Sequence, residues 1–184
     1  MKINAPFYCG VGSRDTPHTV LEQMMGIAYI LKEMEYVLRS GHADGADLAF
    51  EKGSDGVNQI WLPWSGFNYE SPQSQGLVRT GHYVPAENWV ASKIAEANHP
   101  KWDACSPAAR KMHTRNVYQV LGPGLGVINQ DTVSRFVLCW TKDGKASGGT
   151  GQAIRIAEAC KIPVFNLFHA DALEKLEAFL SEQP

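Results

Sequence analysis

Closely spaced cysteines are missing from this 184-residue chain: Cys9, Cys105, Cys139 and Cys160 lie far apart, and no CxxC occurs. That spacing favours free thiols over metal ligands or disulfides. Cys9 and Cys139, set in apolar strand-like runs, read as buried free thiols. The six histidines are scattered, with no HExxH or similar spacing, so no metal site and no cofactor is expected. A GxSxG nucleophile elbow is absent as well. No apolar run is long enough to span a bilayer, and the opening MKINAPFYCG has no signal-peptide core. Together these point to a cytoplasmic protein. An excess of either charge is also lacking, since the formal net charge is −2. A global basic signature for nucleic acid is therefore excluded, which leaves only a local groove for that purpose.

What is present is the composition of a globular protein, 44% hydrophobic and 20% charged with 17 glycines. The length suits one domain over residues 1–184 with a sizeable core. The chain is organised around Leu38 to Gly53, LRSGHADGADLAFEKG. Tyr36–Arg39 is an apolar run suited to a buried strand. Ser40, Gly41, His42, Ala43, Asp44, Gly45, Ala46 and Asp47 follow, small and polar, and a helix over Ala46–Lys52 comes next with Gly53 placed to stop it. Strand, small-residue loop and helix start form the arrangement in which free N–H groups and the helix dipole hold a phosphate.

The same alternation runs along the chain. Phe7-Tyr8-Cys9 reads as the first strand, and Thr16 or Asp15 can cap a helix from His18 to Glu35. A third strand, Asn58 to Leu62, ends at Pro63. Between Ser65 and Ser106 the pattern degrades, with only Glu87–Ala97 helical, and this stretch reads as an insertion lying over one end of the sheet. A helix over Pro107–Leu121, a strand over Arg135–Trp140, a helix over Gln152–Cys160, a strand over Ile162–Leu167 and a helix over Ala170–Ser181 complete the chain. The fold class is α/β: a Rossmann-like open, mainly parallel sheet of about five strands with helices on both faces. Ligands of such sheets bind at the carboxyl ends of the strands, where the glycine-bearing loops converge. Exposed apolar helix faces would allow a homo-oligomer.

Gly12, Ser13 and Arg14 offer a backbone donor, a hydroxyl and a guanidinium just after the first strand. Arg14 can pair bidentately with a phosphate, or with Asp15 on the surface. The loop from Thr141 to Gly151 places Ser147, Gly148, Gly149 and Thr150 at a helix start, more glycine than a turn needs. Arg110, Lys111, His113 and Arg115 give the preceding helix a basic face, with Arg115-Asn116 polar where that helix turns apolar. The alternative for that face is simple solvation.

The order of these motifs, GSR, SGHADGAD, RN and SGGTGQA followed by the strand IPVFNL, resembles a known superfamily. It is similar to the Rossmann-like nucleotide-binding domains shared by the DprA/Smf DNA-processing proteins and the LOG phosphoribohydrolases, together called SLOG. The resemblance runs from Phe7 to Leu167, with residues 65–106 matching poorly. It implies that Gly12, Ser13 and Arg14 form one phosphate loop, and that Ser40, Gly41, Ala43, Gly45 and Asp47 form a second. Ser147, Gly148 and Gly149 correspond to the third loop, and Arg115 and Asn116 to the arginine-asparagine of the DprA type. Against the LOG pattern, Ser147, Gln152 and Arg155 stand where those enzymes have proline, threonine and the glutamate that helps cleave the N-glycosidic bond. His42 replaces a glycine usual in DprA.

The reading that follows is a stand-alone domain, of phage or mobile-element type, that binds a nucleotide or nucleotide-derived small molecule through the three loops. One alternative is a LOG-like hydrolase, with Asp47, Asp143 or Glu87 as its acid. The other is a DprA-like binder of single-stranded DNA, which the acidic balance does not favour.

Overall fold

The computed structural model describes residues 5–125 and 132–183. Its elements in chain order are β1 (Phe7–Gly12), α1 (His18–Glu33), β2 (Val37–Ser40), α2 (Ala46–Ser54), β3 (Asn58–Trp61), β4 (His82–Tyr83) and α3 (Trp89–Ala97). They continue with α4 (Pro107–Leu121), β5 (Ser134–Trp140), α5 (Gly148–Ala159), β6 (Val164–Asn166) and α6 (Ala172–Ser181). The strands form one sheet in the order β4-β3-β2-β1-β5-β6, and every pairing is parallel. The α/β Rossmann-like class expected from the sequence is the fold found. No helix among the described residues is long and apolar enough to cross a membrane.

The central strands are apolar on successive residues because both faces of the sheet are covered. Tyr8 packs on one face with Phe50, Phe136, Leu38 and the α1 residues Met24, Ala28 and Leu31. Cys9 and Val11 point to the other, among Val117, Val120, Ala153, Ile154 and Ile156 of α4 and α5. Each such large apolar side chain contributes about 1.5–3 kcal/mol by leaving water. Cys9 and Cys139 are buried free thiols. After β1 the chain crosses to α1 on one face, and after β5 to α5 on the other. The two loops therefore diverge between adjacent strands, which opens a crevice at their carboxyl ends.

Several boundaries differ from the sequence reading. The sixth strand is β4, two residues inside the stretch read as an insertion, too short to show an alternating pattern. Gly53 does not stop α2. It lies within the helix, where a Cβ would collide with the Met25 carbonyl of α1, so the missing side chain sets how closely the two helices approach. The stop falls at Asp55, in the left-handed conformation with φ 47°. Thr16 does not cap α1; its hydroxyl donates to the Ser13 carbonyl at 2.7 Å. Helix α3 begins at Trp89 behind an Asn88 cap.

The edge strand β4 is tied to the loop after β2 by a buried carboxylate. Glu51 of α2 lies 2.7 Å from Nδ1 of His42 and 2.9 Å from Nε2 of His82. An ionised carboxylate only accepts, so each ring donates to it. The Tyr69 hydroxyl then serves Nδ1 of His82 at 3.0 Å. His42 sits at φ 61°, a conformation in which glycine is usual, and its bond to Glu51 offsets that strain. The two histidine hydrogen bonds hold Glu51 below its ordinary value of 4.5 against the effect of burial. Its contribution to stability is thus present above pH 4.5 and is lost as pH falls through the lower folded value. Glu51→Gln should cost about 1–3 kcal/mol at neutral pH, because one ring N–H then faces an amide N–H. Chemical denaturation across pH checks this: the variant should lose the acid-dependent part of the curve.

Candidate functional site

A cleft of about 780 Å³ opens at the carboxyl ends of β1 and β5. Its first wall is the turn after β1. Ser13 N–H donates to the Trp140 carbonyl at 3.2 Å, and Ser13 Oγ accepts from Asp15 N–H at 3.1 Å. That bracing leaves Arg14 exposed, with no ion pair to Asp15. The second wall is the start of α5. Sequence reading placed this helix from Gln152, yet it begins at Gly148, inside the glycine run. Ser147 is the cap residue but gives no side-chain cap, and its hydroxyl instead turns to Asp143, to which it donates at 2.8 Å. The N–H groups of Gly148, Gly149 and Thr150 are therefore first-turn donors without an acceptor among the described residues, at the positive end of the helix dipole. Gly149 is exposed, and a Cβ there would meet nothing within 4 Å.

The loop after β2 works differently from what its glycines suggest. Ala43 and Asp47 line the cleft, whereas Ser40, Gly41 and Gly45 lie behind it. Ser40 Oγ donates to the Gly10 carbonyl at 2.7 Å, and the bare Cα of Gly41 makes room for the Arg115 guanidinium. Gly45, at φ 81°, packs on the Ser13–Arg14 backbone and donates its N–H to the Gln73 side chain at 3.2 Å. The outer side is occupied by Asn68 and Ser71, which donate to Asp44 Oδ1 at 2.9 and 2.6 Å. This loop positions the first wall, and the segment after Ser65 covers it.

Asp47 and Arg115 form the floor. Arg115 Nη1 lies 3.7 Å from Asp47 Oδ2 and donates to the Trp61 carbonyl at 3.3 Å; both side chains are buried. Burial outweighs the opposing pull of Arg115 and of the backbone at Ala43 and Gly12, and leaves the Asp47 carboxyl raised to about 6. Below that pH the acid is neutral and Arg115 is an uncompensated cation; above it the pair is nearly charge-balanced. Asn116 Nδ2 donates to Gln152 Oε1 at 3.0 Å and to the Gly149 carbonyl at 3.4 Å, so it fastens the start of α5 to α4. Thr141 N–H donates to Asn166 Oδ1 at 3.2 Å, which braces the third loop.

Gly12, Ser13, Arg14, Arg115, Asn116, Thr141, Ser147, Gly148, Gly149 and Thr150 thus share one cleft with Ala43 and Asp47. Sequence reading did not single out Lys101, Lys142 or His99, which also line it. Lys142 could have been read from its place beside Thr141. Lys101 arrives from the far end of the 65–106 stretch, and nothing local marks it. Of the acids considered for hydrolysis, only Asp47 reaches this cleft; Asp143 caps its own loop and Glu87 lies elsewhere.

The fold places this chain among solved structures. It is similar to DNA processing protein A. That protein, from Helicobacter pylori, was described for its single-stranded DNA binding mode; the likeness has a TM-score of 0.60 at 16% identity and covers 98% of this chain and 75% of that one. The likeness to DNA processing protein A is one of fold. No family model matches the sequence, and no curated protein matches it.

Histidines scattered in sequence also meet in space. His99, Cys105 and His113 gather at the cleft wall, with Cys105 Sγ 3.7 Å from Nδ1 of His99. This is a donor set that suits zinc, and Nδ1 of each ring is already hydrogen-bonded. His99 Nδ1 accepts the Lys101 N–H at 3.2 Å, and His113 Nδ1 lies 2.9 Å from Gln152 Oε1. Burial lowers the pKa of both rings, which keeps them neutral near pH 7.

Proposed function

We propose that the cleft binds single-stranded DNA, holding the phosphate of one nucleotide between the Ser13–Arg14 turn and the first turn of α5. The observation that carries this is the local charge. Arg14, Lys101, Arg115, Lys142 and Arg155 line the cleft against Asp15 and Asp47, in a chain whose net charge is −2. The acidic balance that argued against DNA belongs to the rest of the surface. A cationic groove with uncapped helix donors is an anion site by charge and by hydrogen bonding. The likeness to a protein described for its single-stranded DNA binding supports DNA as the occupant, and the order of the motifs supports placing the chain in the SLOG superfamily. On this reading the chain is one such domain, and residues 65–106 are its own elaboration.

A free nucleotide is the second reading, favoured by the depth at which Ala43 and Asp47 line the floor. Hydrolysis is not part of either. Arg155, at the position of the LOG glutamate, donates to the carbonyls of Asn98 and Ala146 at 2.8 Å and cannot exchange protons near neutral pH.

A salt titration separates the two readings. For single-stranded DNA, log affinity should fall with log salt with a slope of about −0.7 for the phosphate held here, and by as much again for each further phosphate neutralised. Fluorescence anisotropy of a labelled oligothymidylate measures it. A flat salt dependence, with adenosine monophosphate binding as well as the oligonucleotide, selects the free nucleotide.

A further inference from the structure

A second cleft, of about 710 Å³, lies on the other side of Arg115, whose side chain lines both. It is framed by the turn after β3, the segment between β4 and α3, and the outer face of α4. Its chemistry is unlike that of the first: two indoles, with Arg110 and Lys111 joining Arg115 as its cations. Trp89, the first residue of α3, is 77% exposed, and Trp64 is 37% exposed. An indole so open to water at a helix start contributes nothing to the core. Trp64 packs edge-on against Phe67 at 5.2 Å between ring centroids. Arg110 and Lys111 lie on the α4 side. Arg110 is held over the Trp102 ring at 5.4 Å, and its Nε is buried with no hydrogen-bond partner among the described residues. Arg115 Nε, at the junction, is likewise buried and has no partner among the described residues. Glu87 is the one acid among the lining residues.

Flat aromatic surfaces in one cleft with guanidinium and ammonium groups match a single strand of nucleic acid, in which bases stack and phosphates pair with cations. We propose that the second cleft is an extended subsite that takes the nucleotides next to the one in the main cleft. Bases stack on Trp89 and Trp64, and the intervening phosphate lies against Arg110 and Lys111. This rests on the main cleft holding a nucleotide phosphate, and it adds a direction: the strand runs from the β1–β5 crevice across Arg115 toward the start of α3. It also gives the 65–106 stretch a role, since Trp89 belongs to it. Stacking is tolerant of base identity, so the subsite sets length dependence rather than sequence preference.

The test compares thymidine monophosphate with hexathymidylate on the full chain, by calorimetry, for the parent, Trp89→Ala and Lys111→Ala. Both substituted side chains are at the surface, and melting temperatures confirm that the fold is retained. The hexamer should bind the parent at least tenfold more tightly than the monophosphate. Trp89→Ala should weaken the hexamer about tenfold and leave the monophosphate unchanged, and quenching of tryptophan fluorescence by the hexamer should fall in the same variant. If the monophosphate binds but both variants keep the parent affinity for the hexamer, the subsite is overturned and the main cleft stands. If neither ligand binds the parent, the main-cleft reading fails and the subsite falls with it. A change of oligomeric state in Trp89→Ala, with hexamer affinity unchanged, would mark the patch as a protein contact and overturn the proposal.

Discussion

Gly149→Val should abolish oligonucleotide binding while the melting temperature stays close to that of the parent. The separation of the two effects comes from where the side chain would go. A Cβ at Gly149 meets nothing of the protein within 4 Å, and the residue lies on the cleft wall in the first turn of α5. The valine methyl groups would therefore stand where a phosphate approaches the N–H groups of Gly148, Gly149 and Thr150. Valine also has a better helix propensity than glycine by a few tenths of a kcal/mol, so the helix itself is not weakened. The loss should exceed a hundredfold, because a displaced phosphate forfeits several charge-assisted hydrogen bonds at once. Calorimetry with hexathymidylate, beside a thermal melt, reads both quantities. Parent-like affinity in a parent-like melt would remove the start of α5 from the site.

Arg115→Ala should behave in the opposite way, losing both binding and stability. Arg115 is 4% exposed, fills the space beside Gly41 and is the charged partner of the buried Asp47. Breaking a buried pair by removing one partner costs about 3–5 kcal/mol, mostly through the charge left behind. The sign with pH follows from the acid. The folded Asp47 carboxyl is already pushed up to about 6, and without Arg115 it rises further. Below that range Asp47 is neutral and little is lost; above it the unpaired carboxylate must stay protonated against the solvent pH or sit charged in the core. Denaturant unfolding should therefore show a deficit that grows as pH rises through 6 toward 8. Adding Asp47→Asn should restore much of the stability and none of the binding. Arg14→Ala is the control. Arg14 is exposed, so its loss should leave the melt unchanged and weaken binding at least tenfold, the equivalent of about 1.5–3 kcal/mol for a charge-assisted bond. An Arg115→Ala protein as stable as the parent at pH 8 would show that the Asp47 pair is not what holds the floor.

The order of strands and helices was legible because the strands here are apolar on both faces and the helices carry apolar stripes. Those patterns are local. What the sequence did not reveal depends on distant partners. The start of α5 was placed four residues late, since a run of glycines reads as a loop until it is known that the helix can begin without a side-chain cap. Strand β4 escaped because His82–Tyr83 is held by parallel pairing with Ile60 and Trp61, and by Glu51 from α2, rather than by its own pattern. The site loops show the same limit. Ser40 and Asn116 are polar residues beside a glycine-rich crevice, and their composition suits ligand contact equally well. One bonds to the Gly10 carbonyl, and the other to Gln152 and the Gly149 carbonyl. Sequence supplies the donors but not the direction in which they point. The gathering of His99, Cys105 and His113 also joins a loop to α4 across a spacing that no linear motif contains.

The central claim is that the backbone donors at the start of α5, with the Ser13–Arg14 turn, hold a nucleic-acid phosphate. Amide resonances of a nitrogen-labelled sample titrated with hexathymidylate test it at the atoms concerned. The account predicts that Gly148, Gly149, Thr150 and Arg14 move most, with downfield proton shifts as their N–H groups take up an anion, and that the shifts shrink with added salt. Shifts confined to other surfaces, with these four amides unmoved at saturating oligonucleotide, would contradict it.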